Sequence, residues 1–124
     1  MIHRHLLVRG RGRAALGPDE ATELLRSVID LVGMRIAAVP GNPLVYDCHV
    51  RGNEGVTAAA VIETSHCVLH TWVRESHGLT LYQFDLYSCA HFDPQTVCAF
   101  LKNRLDLVTF ERMVIDRTIG LEVM

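Results

Sequence analysis

The sequence predicts an α+β fold, a two-layer α/β sandwich in which an antiparallel sheet carries two helices on one face. Three observations predict it. Two helical patterns are separated by a run of strand patterns, giving the order strand, helix, several strands, helix, strand. The later strand segments are joined by short turn signals, which suit hairpins rather than long crossovers. The chain has 124 residues, 49% of them hydrophobic, enough for one core and a single domain spanning 1–124.

His3 to Val8 reads as the first strand, and R-G-R-G-R at 9 to 13 as a solvated loop. G-P-D-E-A-T-E-L-L-R-S-V-I-D-L-V-G at 17 to 33 predicts a helix. Pro18 suits its first turn, Asp19 and Glu20 follow, and Gly33 ends it. Leu24, Leu25, Val28, Leu31 and Val32 form its apolar stripe. Arg35 to Val39 reads as a strand stopped by P-G-N-P, and Val45 to Val50 as another before the turn R-G-N-E-G. Val56 to Glu63 is small and apolar, suiting a strand buried on both faces. Cys67 to Arg74 and Leu79 to Ser88 form a long hairpin turning at His77-Gly78. Asp93 caps a second helix that begins at Pro94 and turns Val97, Phe100, Leu101 and Leu105 inward. Val108 to Asp116 is the last strand.

The net charge of -2 gives no support to nucleic-acid binding. No apolar run reaches the ~20 residues of a membrane span, and the N-terminal residues lack a signal-peptide pattern. A cytoplasmic protein is expected, in which Cys48, Cys67, Cys89 and Cys98 are thiols. No C-x-x-C pair marks a zinc site.

The run E-T-S-H-C-V-L-H-T-W at 63 to 72 gathers Ser65, His66, Cys67 and His70. With His77-Gly78 as the turn, antiparallel pairing sets His70 opposite Asp85 and His66 opposite Cys89. All four then share one sheet face, which a one-residue slip would scatter. Such a set admits a cross-strand hydrogen bond with a small buried thiol, or a chemical site. A metal on His66, His70 and Cys89 is disfavoured, because these ligands would stand in a row instead of converging tetrahedrally. Hydrolysis by Ser65, His70 and Asp85 meets a parity problem, since positions 65 and 70 face opposite ways in a regular strand. G-x-S-x-G is also absent.

T-S-H-C-V-L-H-T-W, followed by F-D-L-Y-S-C, resembles the short prokaryotic S-adenosylmethionine decarboxylases. Their pattern is E-S-H-x-x-x-H-T-[WY], then D-x-[FY]-[ST]-C. The likeness covers Val56 to Cys89, and the flanking strand and helix order fits that family's two-layer protomer. It singles out Ser65, which has a histidine five residues on; the second pair, Ser76-His77, has Leu81 there and is a bystander. The hairpin is longer than the family's usual form by four residues. Thr64 stands where the family has glutamate, V-R-E-S follows Trp72 in place of P-E, and Arg9 stands near an expected acidic residue. An arginine is a poor neighbour for a sulfonium cation.

The resemblance implies an inactive proenzyme. The Ser65 hydroxyl would attack the Thr64 carbonyl, an acyl shift would give an ester, and β-elimination would break the chain. A β chain of 1–64 and an α chain of 65–124 would result, the latter headed by a pyruvoyl group derived from Ser65. By the same resemblance His70 aids processing, Thr57 polarises or positions the intermediate, and Cys89 returns a proton to the substrate's α-carbon. His66, with Asp85 in support, would tune the Cys89 thiol. Chain distortion at Ser65 would remove the parity problem. The implied activity is decarboxylation of a small amino-acid-type substrate in spermidine (polyamine) biosynthesis. The alternatives are a non-processing relative with a binding or regulatory role, or a decarboxylase of another amino acid such as arginine or ornithine. A homodimer or larger homo-oligomer is expected, because so small a protomer leaves one sheet face needing cover.

Overall fold

The computed structural model describes the backbone of residues 1–124 and all side chains except those of 74–76. Its elements are β1 (Arg4–Gly12), α1 (Pro18–Leu31), β2 (Leu44–Cys48), β3 (Gly55–Ile62), β4 (Ser65–Ser76), β5 (Leu79–Ser88), α2 (Pro94–Arg104), β6 (Glu111–Asp116) and β7 (Glu122–Val123). They form one sheet in the order β2-β3-β4-β5-β1-β6-β7, antiparallel throughout. The two-layer α+β sandwich is therefore the observed fold.

Strand alternation divides the sheet into an inner and an open face. Leu6, Val8, Ala58, Ala60, Ile62, Cys67, Leu69, Phe84 and Leu86 point inward. They share one core with Leu24, Leu25 and Val28 of α1 and Val97, Cys98 and Leu101 of α2. Glu20 closes α1 by accepting from the Gly17 amide, and Asp93 caps α2 by accepting from the Gln95 amide.

Several sequence expectations are corrected. R-G-R-G at 9 to 12 is strand, not loop. Its glycines are needed for close approach: a Cβ at Gly10 would strike the Thr109 carbonyl, and one at Gly12 the Leu105 carbonyl. Residues 35–39 form no strand beyond a single bridge at Ile36. There the Asn42 side chain occupies the edge of β3, accepting from the Val61 amide at 3.0 Å and donating to the Val61 carbonyl at 2.7 Å. β3 is buried on one face only, since Val61 lies on the open face and is exposed. In α1, Ile29 takes the buried place expected for Leu31, which is exposed. β7 carries no sequence signal and pairs with the end of β6.

The hairpin register is also corrected. His77 and Gly78 both have left-handed φ (51° and 76°), as a two-residue turn requires, and Ser76 pairs with Leu79. An irregularity between Trp72 and Ser76 then shifts β4 against β5 by two residues. His66 lies opposite Tyr87, Val68 opposite Asp85, and His70 opposite Gln83. An even shift keeps every side chain on its expected face while changing its partner. The Ser76 side chain itself lies outside the described residues.

Candidate active site

Ser65 opens β4 immediately after the two-residue turn Glu63-Thr64 and pairs with Ile62. Its φ of 137° is far from strand values, and glycine alone adopts that region freely. The backbone of β4 is thus distorted at Ser65, while its pairing with Ile62 and Ser88 stays in register. The peptide bond before it is held from the neighbouring strand end. The Cys89 amide donates to the Thr64 carbonyl at 3.0 Å. The Ser88 hydroxyl, fully buried, donates to Thr64 Oγ1 at 3.0 Å and accepts from the Ala90 amide at 3.0 Å. Thr64, Ser65 and Cys89 are therefore brought together, with Cys89 half-buried.

On the open face two histidines converge on one carboxylate. His66 Nε2 lies 3.2 Å and His5 Nε2 3.1 Å from Asp85 Oδ1. Arg117 approaches His5 Nδ1 at 3.4 Å, which places the His5 proton on Nε2, donating to Asp85. Tyr87 packs beside both imidazoles, bonds His3 Nδ1 through its hydroxyl at 2.8 Å, and lies under the Arg117 guanidinium. Asp85 partners His66, where the sequence paired it with His70, because the diagonal contact follows from the shifted register. His5, His66 and Asp85 offer three donor atoms within 4.8 Å of one another, the one such group among the described residues. The trio of His66, His70 and Cys89 does not come together as a metal-binding group. Sequence reasoning missed His5; its only signal was the alternation of His3 and His5 along β1.

His70 Nδ1 lies 2.9 Å from Thr57 Oγ1, across the β3-β4 pair, and its ring stacks on Trp72. Thr57 and His70 are therefore together, yet apart from Ser65: five residues along a strand span about 16 Å at roughly 3.3 Å per residue. Cys67, by contrast, faces the core, where burial pushes its thiol well above the usual range.

No helix among the described residues is long and apolar enough to cross a membrane. The two-layer sheet-and-helix architecture is that of an adenosylmethionine decarboxylase crystal structure from Aquifex aeolicus VF5. The match has a TM-score of 0.66 at 20% identity, covering 95% of this chain and 92% of that one. A family model described as S-adenosylmethionine decarboxylase matches residues 17–118. The chain belongs to the S-adenosylmethionine decarboxylase family. A curated relative, the S-adenosylmethionine decarboxylase proenzyme of Geobacillus sp. (strain WCH70), is 29% identical over 69 residues. That match spans 56% of this chain and about half, 52%, of the relative.

Proposed function

We propose that this chain is a self-processing, pyruvoyl-dependent decarboxylase of the S-adenosylmethionine decarboxylase type, acting on a small amino-acid-type substrate in cytoplasmic spermidine biosynthesis. The observation that carries the reading is the Thr64-Ser65 peptide: a serine at φ 137° whose preceding carbonyl accepts the Cys89 amide. A hydrogen-bond donor on that carbonyl stabilises the oxyanion formed when a hydroxyl adds to it. Backbone strain of this kind, on the order of 1–3 kcal/mol, is released when the bond breaks.

Ser65 Oγ adds to the Thr64 carbonyl carbon, its proton passes to the Ser65 nitrogen, and the C–N bond breaks to leave an ester. Removal of the Ser65 α-proton expels the Thr64 carboxylate; hydrolysis then releases the nitrogen as ammonia and leaves a keto-acyl end on residue 65. A β chain of 1–64 and an α chain of 65–124 result. The residues present fit such a group, because residue 65 heads β4 and the Cys89 amide bonds the carbonyl that precedes it. A pyruvoyl group there supplies an electron sink for loss of CO2 from an amino acid. Cys89 would return a proton to the substrate's α-carbon. His66, oriented by Asp85, would hold the site's proton balance.

Thr57 and His70 would serve processing from a second copy. They lie too far from Ser65 of their own chain, and they stand on the open face, where Leu7, Leu44, Val61 and Met113 are exposed. Two copies packed on these faces would cover that surface and carry His70 of one toward Ser65 of the other.

Intact mass and a denaturing gel test the reading. Matured protein should split between Thr64 and Ser65, with a ketone-reactive end on the second fragment, while Ser65→Ala stays whole. A single 13.9 kDa species after prolonged incubation would overturn it and favour a non-processing relative.

A further inference from the structure

We infer that the Thr64 hydroxyl, held by Ser88, is a positioning group for the chain break; the inference rests on the self-processing reading above and names what fixes the bond that breaks. Thr64 stands where the family pattern has glutamate, so a short hydroxyl occupies the place of a carboxylate. Ser88, at the end of β5, is fully buried; with Thr71 and Thr80 it makes up the buried polar side chains among the described residues. A hydroxyl is buried at a cost unless its hydrogen bonds are made. Those of Ser88 go to Thr64 and Ala90, on either side of the reactive peptide's anchor.

The direction of these bonds is set. The Ala90 amide can only donate, and it donates to Ser88 Oγ at 3.0 Å. Ser88 then directs its single proton to Thr64 Oγ1 at 3.0 Å. The Cys89 amide donates to the Thr64 carbonyl at 3.0 Å. Residues 88 and 89 therefore grip residue 64 at its side chain and at its carbonyl. On the other side of the bond, Ser65 stands in the ladder between Ile62 and Ser88.

Two points fix what one cannot. Glu63 and Thr64 form a turn, and Glu63 is exposed. A lone bond on the carbonyl oxygen would leave residue 64 free to swing about it. Threonine is branched at Cβ and stiff at χ1, so holding Oγ1 also holds the Cα and the direction in which the carbonyl leaves it. The carbonyl carbon is then offered to the Ser65 hydroxyl in one orientation, and the φ of 137° at Ser65 is kept from relaxing. Valine at this position would keep the branch and the volume and remove only the acceptor.

The test compares wild type, Thr64→Val, Thr64→Ser, Ser88→Ala and the double variant Thr64→Val/Ser88→Ala. Each full chain is made in a short pulse of cell-free synthesis, and its cleavage is timed on a denaturing gel. Urea unfolding of the purified chains checks that each is folded. A merely structural role would lower the unfolding midpoint and leave the cleavage rate of folded protein alone. Thr64→Val should instead slow cleavage between roughly tenfold and a hundredfold while staying folded. Thr64→Ser keeps the acceptor and should recover most of the rate. The double variant should be no slower than the slower single variant, since all of them remove one contact. Hydroxylamine, which cuts an ester, should not restore the Thr64→Val rate, because the slowed step is the addition that forms the ester. Four results overturn the inference and leave the self-processing reading standing: folded Thr64→Val that cleaves at the wild-type rate, Thr64→Ser as slow as Thr64→Val, a double variant slowed by the product of the two single factors, or rescue by hydroxylamine. Thr64→Val decides the matter alone should Ser88→Ala fail to fold. Wild type that never cleaves between Thr64 and Ser65 overturns both.

Discussion

Placing His70 on one copy and Ser65 on the other makes a sharp prediction for mixed oligomers. Within one chain the two residues are separated by about 16 Å of strand, at roughly 3.3 Å per residue. A histidine acting on a hydroxyl must come within about 3 Å, or reach it through one water. Ser65→Ala alone cannot cleave, and His70→Ala alone should cleave slowly. In a dimer of the two variants, one site combines the intact Ser65 of the His70→Ala chain with the intact His70 of the Ser65→Ala chain. Random pairing of equal amounts puts about half of the His70→Ala chains in such dimers. Co-expression with tags of different mass, followed by intact mass measurement, should therefore show about half of the His70→Ala chains cut and no Ser65→Ala chain cut. Two results would refute the reasoning. One is wild-type cleavage by His70→Ala alone. The other is a whole His70→Ala chain in mixed dimers that the tags prove to have formed.

Three further outcomes are expected. Ser88→Ala removes a buried hydroxyl that bonds both Thr64 and the Ala90 amide. Chemical denaturation should show a loss of about 1–3 kcal/mol, and a cleavage time course should slow, because the Thr64 peptide loses a positioning contact. Gly55→Ala would drive a Cβ into the Thr71 carbonyl across the β3-β4 pair, so the midpoint of urea unfolding should fall and the soluble yield with it. Native iodoacetamide should modify the half-buried Cys48 and Cys89 well before the buried Cys67 and Cys98, read by peptide mass mapping. Cys67 also carries a pH dependence. Burial raises its pKa in the folded state, so it costs nothing below the ordinary thiol value. Above about pH 8.5 the unfolded chain loses that proton first, and stability should fall. Tyr82, pushed up to about 12 by burial, adds the same trend at higher pH.

The sequence by itself determined the two helices and the long hairpin, and which side chains of that hairpin share a face. A proline at the first turn, an acid cap and a left-handed glycine act within a few residues, so α1, α2 and the His77-Gly78 turn were legible. Alternation has a period of two, so His66, His70 and Asp85 were assigned to one face with Cys89, and an even shift of register could not move them. What stands beside what was decided only by the tertiary structure. The shift between Trp72 and Ser76 gave Asp85 to His66 and left His70 with Thr57. The insertion of β1 between β5 and β6 brought His5 to the same carboxylate. The His5 to Asp85 contact joins residues 80 positions apart. The choice of such partners follows from burying one common core beneath two helices, a requirement of the whole chain that no local window of sequence contains.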